Sequence, residues 1–173
     1  KRVMQALALL SQESRLNVRK VYLLVFIFLS FQTVSETMCS IDDKAIFACE
    51  IGHKNVSACL KSDGQVTYVY GVKGKSEIEL SSPKFSSGGC SGGGESRLRF
   101  VNGDYSYILY DVMCNSEQIG PGMWSKTDYA GLYVLKGKEV ILNKECTGFS
   151  EGILGVNSSL IPHIKIEEFN YDL

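Results

Sequence analysis

Two histidines, His53 and His163, are the only imidazole side chains available for acid–base chemistry in this chain of 173 residues. His53 lies in a segment with turn character, and His163 directly follows Pro162. A general base must lie within hydrogen-bond reach of the group it deprotonates, and a turn histidine is more often a solvated side chain than such a base. The sequence therefore favours solvated histidines over a catalytic base.

Two short strings resemble catalytic or phosphate-binding motifs without the local structure that those motifs need. Ser81-Ser82-Pro83-Lys84 has the Ser-x-x-Lys spacing, but that chemistry needs serine and lysine on one face of a helix, which Pro83 excludes. Residues 71–76 end in Gly-Lys-Ser like a phosphate loop. A strand follows them where the motif requires a helix. We therefore predict a plain turn there.

Glu77 and Glu79 alternate along one predicted strand, so their carboxylates project from the same face. Such a pair could serve a glycosidase or a metal site, but the sequence places no second carboxylate cluster opposite them. Solvated charges at a sheet edge are the commoner arrangement. The chain is therefore predicted not to be an enzyme and to use no cofactor or metal.

Six cysteines lie after residue 35, and their even number favours a disulfide framework made in an oxidising compartment. A zinc site would want closer pairs such as Cys-x-x-Cys, whereas the closest two cysteines are ten residues apart. If the hairpin of residues 45–60 is symmetric about Lys54, Cys49 lies opposite Cys59, within disulfide reach. We predict this bridge and leave the pairing of the other four open: Cys39, Cys90, Cys114 and Cys146.

Residues 1–35 are predicted to be a signal peptide with an upstream extension. Val21–Phe31 is an uninterrupted apolar run of 11 residues that follows Arg19 and Lys20, which is the order of a secretory signal. A membrane-spanning helix needs roughly 20 apolar residues. Cleavage after Ser35 would release one β-rich domain, residues 36–173, into the periplasm or the exterior, without stable membrane insertion. A short uncleaved anchor is the alternative.

The charge of residues 36–173 argues against nucleic acid as a partner. This part of the chain holds 13 basic and 18 acidic residues, a net charge of about −5. Binding to a phosphate backbone depends on clustered lysine and arginine. No basic stripe of that kind is present in the sequence.

Alternating apolar residues and turn signals predict an all-β domain. Residues 45–51 and 55–60 are short apolar runs around Gly52, His53 and Lys54. Asn102-Gly103 between two alternating runs is the strongest short-range hairpin signal. About eight strands and no long amphipathic helix indicate an antiparallel β-sandwich or small barrel, stabilised by disulfides, with an N-terminal signal helix.

Two stretches between the predicted strands could contact a partner. Residues 86–94 contain five glycines and three serines, a composition that predicts a mobile loop unless Cys90 fixes it. Residues 115–130 are expected to be irregular, with a large apolar side chain in a Gly-Pro loop either tucked beneath it or offered to a partner. The candidate partner-binding residues are Ser91, Gly92, Gly93, Gly94, Met123, Trp124 and Tyr129.

The motifs of residues 45–146 resemble a family of small exported bacterial proteins of uncharacterised activity. The resemblance rests on Phe-x-Cys, a second cysteine, Tyr-x-Tyr-Gly and a Glu-x-Leu strand within FACEIGHKNVSACLKSDGQVTYVYGVKGKSEIEL, and continues through GGGESRLRFVNGDYSYILYD and GLYVLKGKEVILNKEC. It implies a β-rich periplasmic domain.

A looser resemblance is to periplasmic inhibitors of C-type lysozyme, which are small disulfide-bonded β-barrels that block the enzyme's cleft with a Ser-Gly-rich loop. Residues 86–96 would take that part, although the Ser-Gly-x-x-Tyr core of those inhibitors is absent. Periplasmic immunity proteins share the same profile. We therefore expect a non-catalytic binding protein that inhibits a lysozyme-like cell-envelope hydrolase or gives immunity to one. An envelope structural or surface-interaction protein is the alternative.

Overall fold

The computed structural model describes residues 36–153, 161 and 164–172, and these residues form eleven β-strands and no helix. The predicted signal at residues 1–35 lies outside them, as do Pro162 and His163. The strands in chain order are β1 (Lys44–Ile51), β2 (Lys54–Leu60), β3 (Val66–Val72), β4 (Lys75–Ser81), β5 (Lys84–Cys90), β6 (Gly93–Asn102), β7 (Tyr105–Gly120), β8 (Met123–Lys136), β9 (Glu139–Glu145), β10 (Gly148–Glu151) and β11 (Lys165–Ile166).

The strands form two sheets that face each other. The first sheet has the order β10-β1-β2-β3-β4, and the second has the order β11-β5-β6-β7-β8-β9. Every described pairing is antiparallel except that of β11 with β5, so the second sheet is mixed. The predicted all-β, disulfide-stabilised fold is confirmed, with this one parallel pairing as a departure from it.

A single apolar cluster lies between the sheets. The first sheet contributes Phe47 and Tyr68, and the second contributes Leu98, Phe100 and Leu109. The ring of Tyr68 lies 5.5 Å from the ring of Phe100 across the gap. Alternation along the strands places these side chains inward, which is the pattern of two antiparallel sheets packed face to face.

Short turns with glycine set the register of the consecutive hairpins. Gly52, Gly103 and Gly137 each have a positive φ and stand at the first central position of a two-residue turn, as type II′ turns require. The hairpin predicted at Asn102-Gly103 is therefore confirmed. Its turn residues are Gly103 and Asp104 rather than Asn102 and Gly103.

The predicted Cys49–Cys59 bridge is wrong, because the first hairpin is tighter than expected. Gly52 and His53 alone form its turn, so Cys49 pairs with Val56 rather than with Cys59. Cys49 belongs to the core between the sheets. Cys59 follows the inward-facing Ala58 and therefore points to the opposite face.

Each cysteine of that hairpin instead binds a distant one. Cys49 bonds to Cys146, with 5.4 Å between Cα atoms, where the chain leaves the second sheet to enter the first as β10. Cys59 bonds to Cys39 at the same Cα separation. This second bridge holds residues 36–43 against the outer face of the first sheet. Cys90 bonds to Cys114, so all six cysteines are paired.

We predict that the bridge between Cys49 and Cys146 stabilises the fold most, because it joins the cysteines furthest apart in the chain. Its sequence separation is 97 residues, against 24 for Cys90–Cys114. Loop-closure entropy then gives about 4.7 kcal/mol against about 3.5 kcal/mol. Denaturant unfolding of the paired serine variants, C49S/C146S and C90S/C114S, measures the difference. An equal loss in both would contradict this ranking.

A second prediction concerns alkaline pH and Tyr68. Burial raises the pKa of its phenol above the ordinary value of 10. A raised pKa in the folded state contributes stability below about pH 10, which is lost as the pH rises because only the unfolded chain ionises readily. Between about pH 9 and about pH 11, Tyr68→Phe should lose about 1.4 kcal/mol less of its free energy of unfolding than the unmodified protein does.

The matched control for that measurement is Tyr171→Phe, because the side chain of Tyr171 is exposed. Its free energy of unfolding should depend on pH as that of the unmodified protein does. An identical pH dependence for Tyr68→Phe and the unmodified protein would show that the buried phenol does not govern the alkaline loss.

Candidate functional site

The two longest strands extend beyond the core and form a projecting arm. β7 has 16 residues and β8 has 14, whereas no strand of the first sheet exceeds eight. The buried part of β7 ends at Val112, and that of β8 begins at Ala130. The hairpin between them, residues 113–129, is called the arm below. Every residue of the arm is at least partly exposed.

The arm presents apolar side chains to solvent. Trp124 is 46% exposed, Met123 58% and Ile119 63%, with Met113 and Tyr129 also exposed nearer the core. The sequence left open whether the large side chain of this stretch is tucked away or offered. The structure shows Trp124, Met123 and Tyr129 offered to solvent.

The arm is regular structure, so the prediction of an irregular stretch at residues 115–130 is wrong. Pro121 and Gly122 occupy a two-residue turn between paired Gly120 and Met123, and Gly122 has a φ of 71°. Proline followed by glycine with positive φ is the pattern of a type II turn. Extra residues in β7 near Gln118 shift the register without ending the pairing. Sequence reasoning treated Gly-Pro-Gly as a loop rather than as the tip of one long hairpin.

The glycine-rich segment is also strand rather than the expected mobile loop. Residues 84–90 and 93–102 form the β5–β6 hairpin, so residues 86–94 are almost entirely paired. The condition attached to the prediction is met, because Cys90 is bonded to Cys114 in β7. Gly93 packs against the carbonyl oxygen of Met113, where a Cβ atom would overlap it. The glycines therefore permit a close approach between backbones.

The tip of the β5–β6 hairpin buttresses the base of the arm. The backbone N–H of Asn115 donates to the carbonyl oxygen of Ser91 at 2.7 Å. The Lys126 ammonium donates to the carbonyl oxygen of Gly92. With the Cys90–Cys114 bridge, these contacts hold the two hairpins together. The predicted partner-binding residues Ser91, Gly92 and Gly93 are exposed here and Gly94 is half-buried, on the same projection as Met123 and Trp124.

Sequence reasoning missed Met113, Ile119 and Lys126 as members of this surface. The available signal was the length of the alternating run from Tyr105, which is longer than one layer of a small sandwich needs.

Tyr110, nearer the core on the same run, is buried rather than exposed. Its ring lies 4.4 Å from that of Tyr133, and burial raises the pKa of both phenols.

The residues first considered for chemistry do not converge. His53 is exposed in the β1–β2 turn, and the predicted turn within residues 71–76 is the tight turn of Lys73 and Gly74 between β3 and β4. Glu77 forms an ion pair of 2.6 Å with Lys54. Ser81 ends β4 and Lys84 begins β5, with Ser82 at a φ of 59° between them. The Ser-x-x-Lys string therefore lies on a link between the two sheets and not on a helix.

Two further findings hold for the described residues only. Among them, no group of three or more histidine, cysteine, aspartate or glutamate side chains is placed to hold a metal ion. In the same part of the chain, no helix is long and apolar enough to cross a membrane. Three disulfides are consistent with a protein of the periplasm or the cell exterior.

We predict that Gly93→Ala loosens the junction between the hairpins, whereas Gly89→Ala does not. A Cβ at Gly93 would overlap the Met113 carbonyl, but a Cβ at Gly89 meets no atom within 4 Å. The overlap should cost about 1–3 kcal/mol of unfolding free energy, with Gly89→Ala neutral or slightly stabilising. Denaturant unfolding of both variants is the measurement, and a loss at Gly89 as large as that at Gly93 would refute the packing argument.

Comparison with known proteins adds no relative. The chain matches no protein-family model, no curated protein and no solved structure.

Proposed function

We propose that the protein is a non-catalytic binding protein of the periplasm or cell exterior that inhibits a lysozyme-like cell-envelope hydrolase, as an inhibitor or an immunity protein. The observation that carries the proposal is the arm. A narrow projection with Trp124, Met123 and Ile119 at its end has the shape to enter an enzyme cleft.

The composition of the arm suits a protein partner. Tryptophan and tyrosine are enriched among the few residues that dominate binding energy, and methionine is enriched at interfaces. Five of the thirteen large apolar side chains exposed in the described part of the chain belong to the arm: Met113, Ile119, Met123, Trp124 and Tyr129. This concentration of exposed large apolar side chains on one hairpin favours the arm as an interaction site.

Rigidity supports the same proposal. The Cys90–Cys114 bridge and the Asn115–Ser91 hydrogen bond fix the base of the arm before any partner is met. A surface that is already ordered loses less conformational entropy on association. A stapled hairpin therefore favours a tight complex with a preformed cleft.

Charge favours a basic partner. The net charge of residues 36–173 is about −5, and complementary charge mainly raises the rate of association. A basic lysozyme-like enzyme that acts on the anionic cell wall would be such a partner. Inhibition should then weaken as the salt concentration rises.

The resemblance to periplasmic inhibitors of C-type lysozyme supports the proposal from the sequence side. In those proteins a Ser-Gly-rich loop enters the cleft. Here the corresponding segment, residues 86–96, is the hairpin that buttresses the arm. We therefore assign the insertion to the arm and a supporting role to Ser91 and Gly92.

The test is inhibition of lysozyme-like hydrolases by the purified oxidised protein at low salt. Trp124→Ala should weaken inhibition about 30-fold, because truncating a dominant interface residue costs about 2 kcal/mol or more. The matched control is Val101→Ala. Val101 is about as exposed as Trp124, but it lies at the end of β6 remote from the β5–β6 tip that supports the arm.

Two results would contradict the proposal. One is the absence of inhibition or binding across envelope hydrolases, which would favour a surface-interaction protein instead. The other is an equal loss from Trp124→Ala and Val101→Ala, which would remove the arm from the interface.

A further inference from the structure

Residues 164–172, called the strap below, lie on the outer face of the second sheet, where they run beside and across β5 and β6. Only Lys165 and Ile166 pair with β5 as a strand, and the amide of Glu167 donates to the carbonyl oxygen of Phe85 at 2.9 Å. The rest of the strap is held by side chains.

Arg99 on β6 forms an ion pair with a carboxylate of the strap. Its Nε lies 2.8 Å from Oε1 and 3.0 Å from Oε2 of Glu167, and its terminal Nη2 also donates to Oε2. This forked geometry is how arginine recognises a carboxylate specifically. The hydrogen bond raises the pKa of Arg99, and Lys84 adds a second cation with its Nζ 4.0 Å from the carboxylate.

Arg97, two residues earlier on the same face, holds an aromatic ring and a main-chain carbonyl. Its guanidinium carbon lies 4.2 Å from the centre of the Phe169 ring, and its Nη1 donates to the carbonyl oxygen of Asn170 at 2.7 Å. Glu95 fixes the guanidinium from the other side at 2.5 Å. The side chain of Arg97 is only 5% exposed, so this cation is preorganised beneath the strap.

Gly88 supplies the floor of the aromatic site. Its φ is ordinary, yet a Cβ there would overlap the ring of Phe169. Glycine inside a strand is unfavourable by itself. The need for space for the Phe169 ring explains why this position is glycine.

The strap does not fill the groove that it occupies. Ile166 is 62% exposed and Tyr171 70%. A cavity of about 230 Å³ remains between strap and sheet, lined by Ser86, Ile108 and Leu135 of the sheet and by Glu168 of the strap. Only two residues of the strap pair as a strand, and no disulfide ties the strap to the sheet. The strap therefore depends on few backbone contacts, in a groove with room beyond it.

We propose that this groove is a docking site for an extended acidic–aromatic segment of a partner protein, and that the strap occupies it in the free protein. In this site Arg99 binds a carboxylate. Arg97 and Gly88 accommodate an aromatic ring two residues later, and Arg97 also donates to the carbonyl oxygen of the residue after the ring. Arg97 and Arg99 are the only arginines among the described residues. They give an otherwise acidic protein one local surface that complements an acidic segment.

The experiment frees the groove and supplies the segment separately. The protein carrying Glu167→Gln and Phe169→Ala is mixed with a labelled synthetic peptide of residues 164–172, IKIEEFNYD, and binding is followed by fluorescence anisotropy. We expect saturable binding to this variant. Binding to the unmodified protein should be at least tenfold weaker, because its own strap competes at an effective concentration of about millimolar.

Matched peptides test what the groove reads. A peptide with Glu167→Gln should bind about tenfold more weakly, as expected for the loss of a hydrogen-bonded charge. Asp172→Asn makes the same change of charge at an exposed residue that does not line the groove, and it should leave binding unchanged. Equal losses from the two peptides would reduce the effect to net charge and overturn the proposal.

A folding control keeps the test decisive. A second variant that ends at residue 163 replaces the substituted protein if the latter does not fold, as judged by circular dichroism and intact disulfides. No peptide binding to either folded variant would make the strap a purely structural element and overturn the proposal. A dimer of the unmodified protein that is lost on truncation would assign the groove to a second copy's strap, which also overturns it.

Discussion

The structure depends on a mismatch in length between the two sheets. β7 and β8 continue for a whole hairpin beyond the strands that face them, so half of each strand has no opposing layer to cover it. Two exposed strands are only marginally stable alone. The β5–β6 hairpin and its bridge from Cys90 to Cys114 supply the missing support. The same mismatch leaves Trp124 in solvent. The difference in strand length therefore explains both why the arm needs support and why its surface is exposed.

Each of the three disulfides joins a strand to a segment that does not pair with it. Cys49–Cys146 closes the crossing between sheets, and Cys39–Cys59 ties an extended N-terminal segment to the first sheet. Cys90–Cys114 joins the β5–β6 tip to β7. The strap has no such bridge and is held by its short pairing with β5 and by Arg97 and Arg99. The arm is thus a fixed surface and the strap a displaceable one, which is why we assign them different partners and different tests.

Local features could be predicted from the sequence, and long-range ones could not. Gly103 and Gly137 mark turns because their φ angles are dictated within a few residues. The partner of Cys49 depends on where the chain crosses between sheets, more than ninety residues later. Residues 86–94 have the composition of a loop, but Phe169 and the Met113 carbonyl lie where side chains would otherwise stand. Their glycines therefore serve tertiary contacts that no local pattern reveals.

The central claim is that the arm is rigid and offers its aromatic side chain to solvent in the free protein. Trp124 is the only tryptophan in the chain, so its fluorescence reports on the arm alone. In the oxidised protein the account predicts emission typical of solvated indole, ready quenching by acrylamide, and anisotropy that decays only as the whole molecule tumbles. Blue-shifted emission protected from acrylamide, or rapid independent motion of the indole, would contradict it.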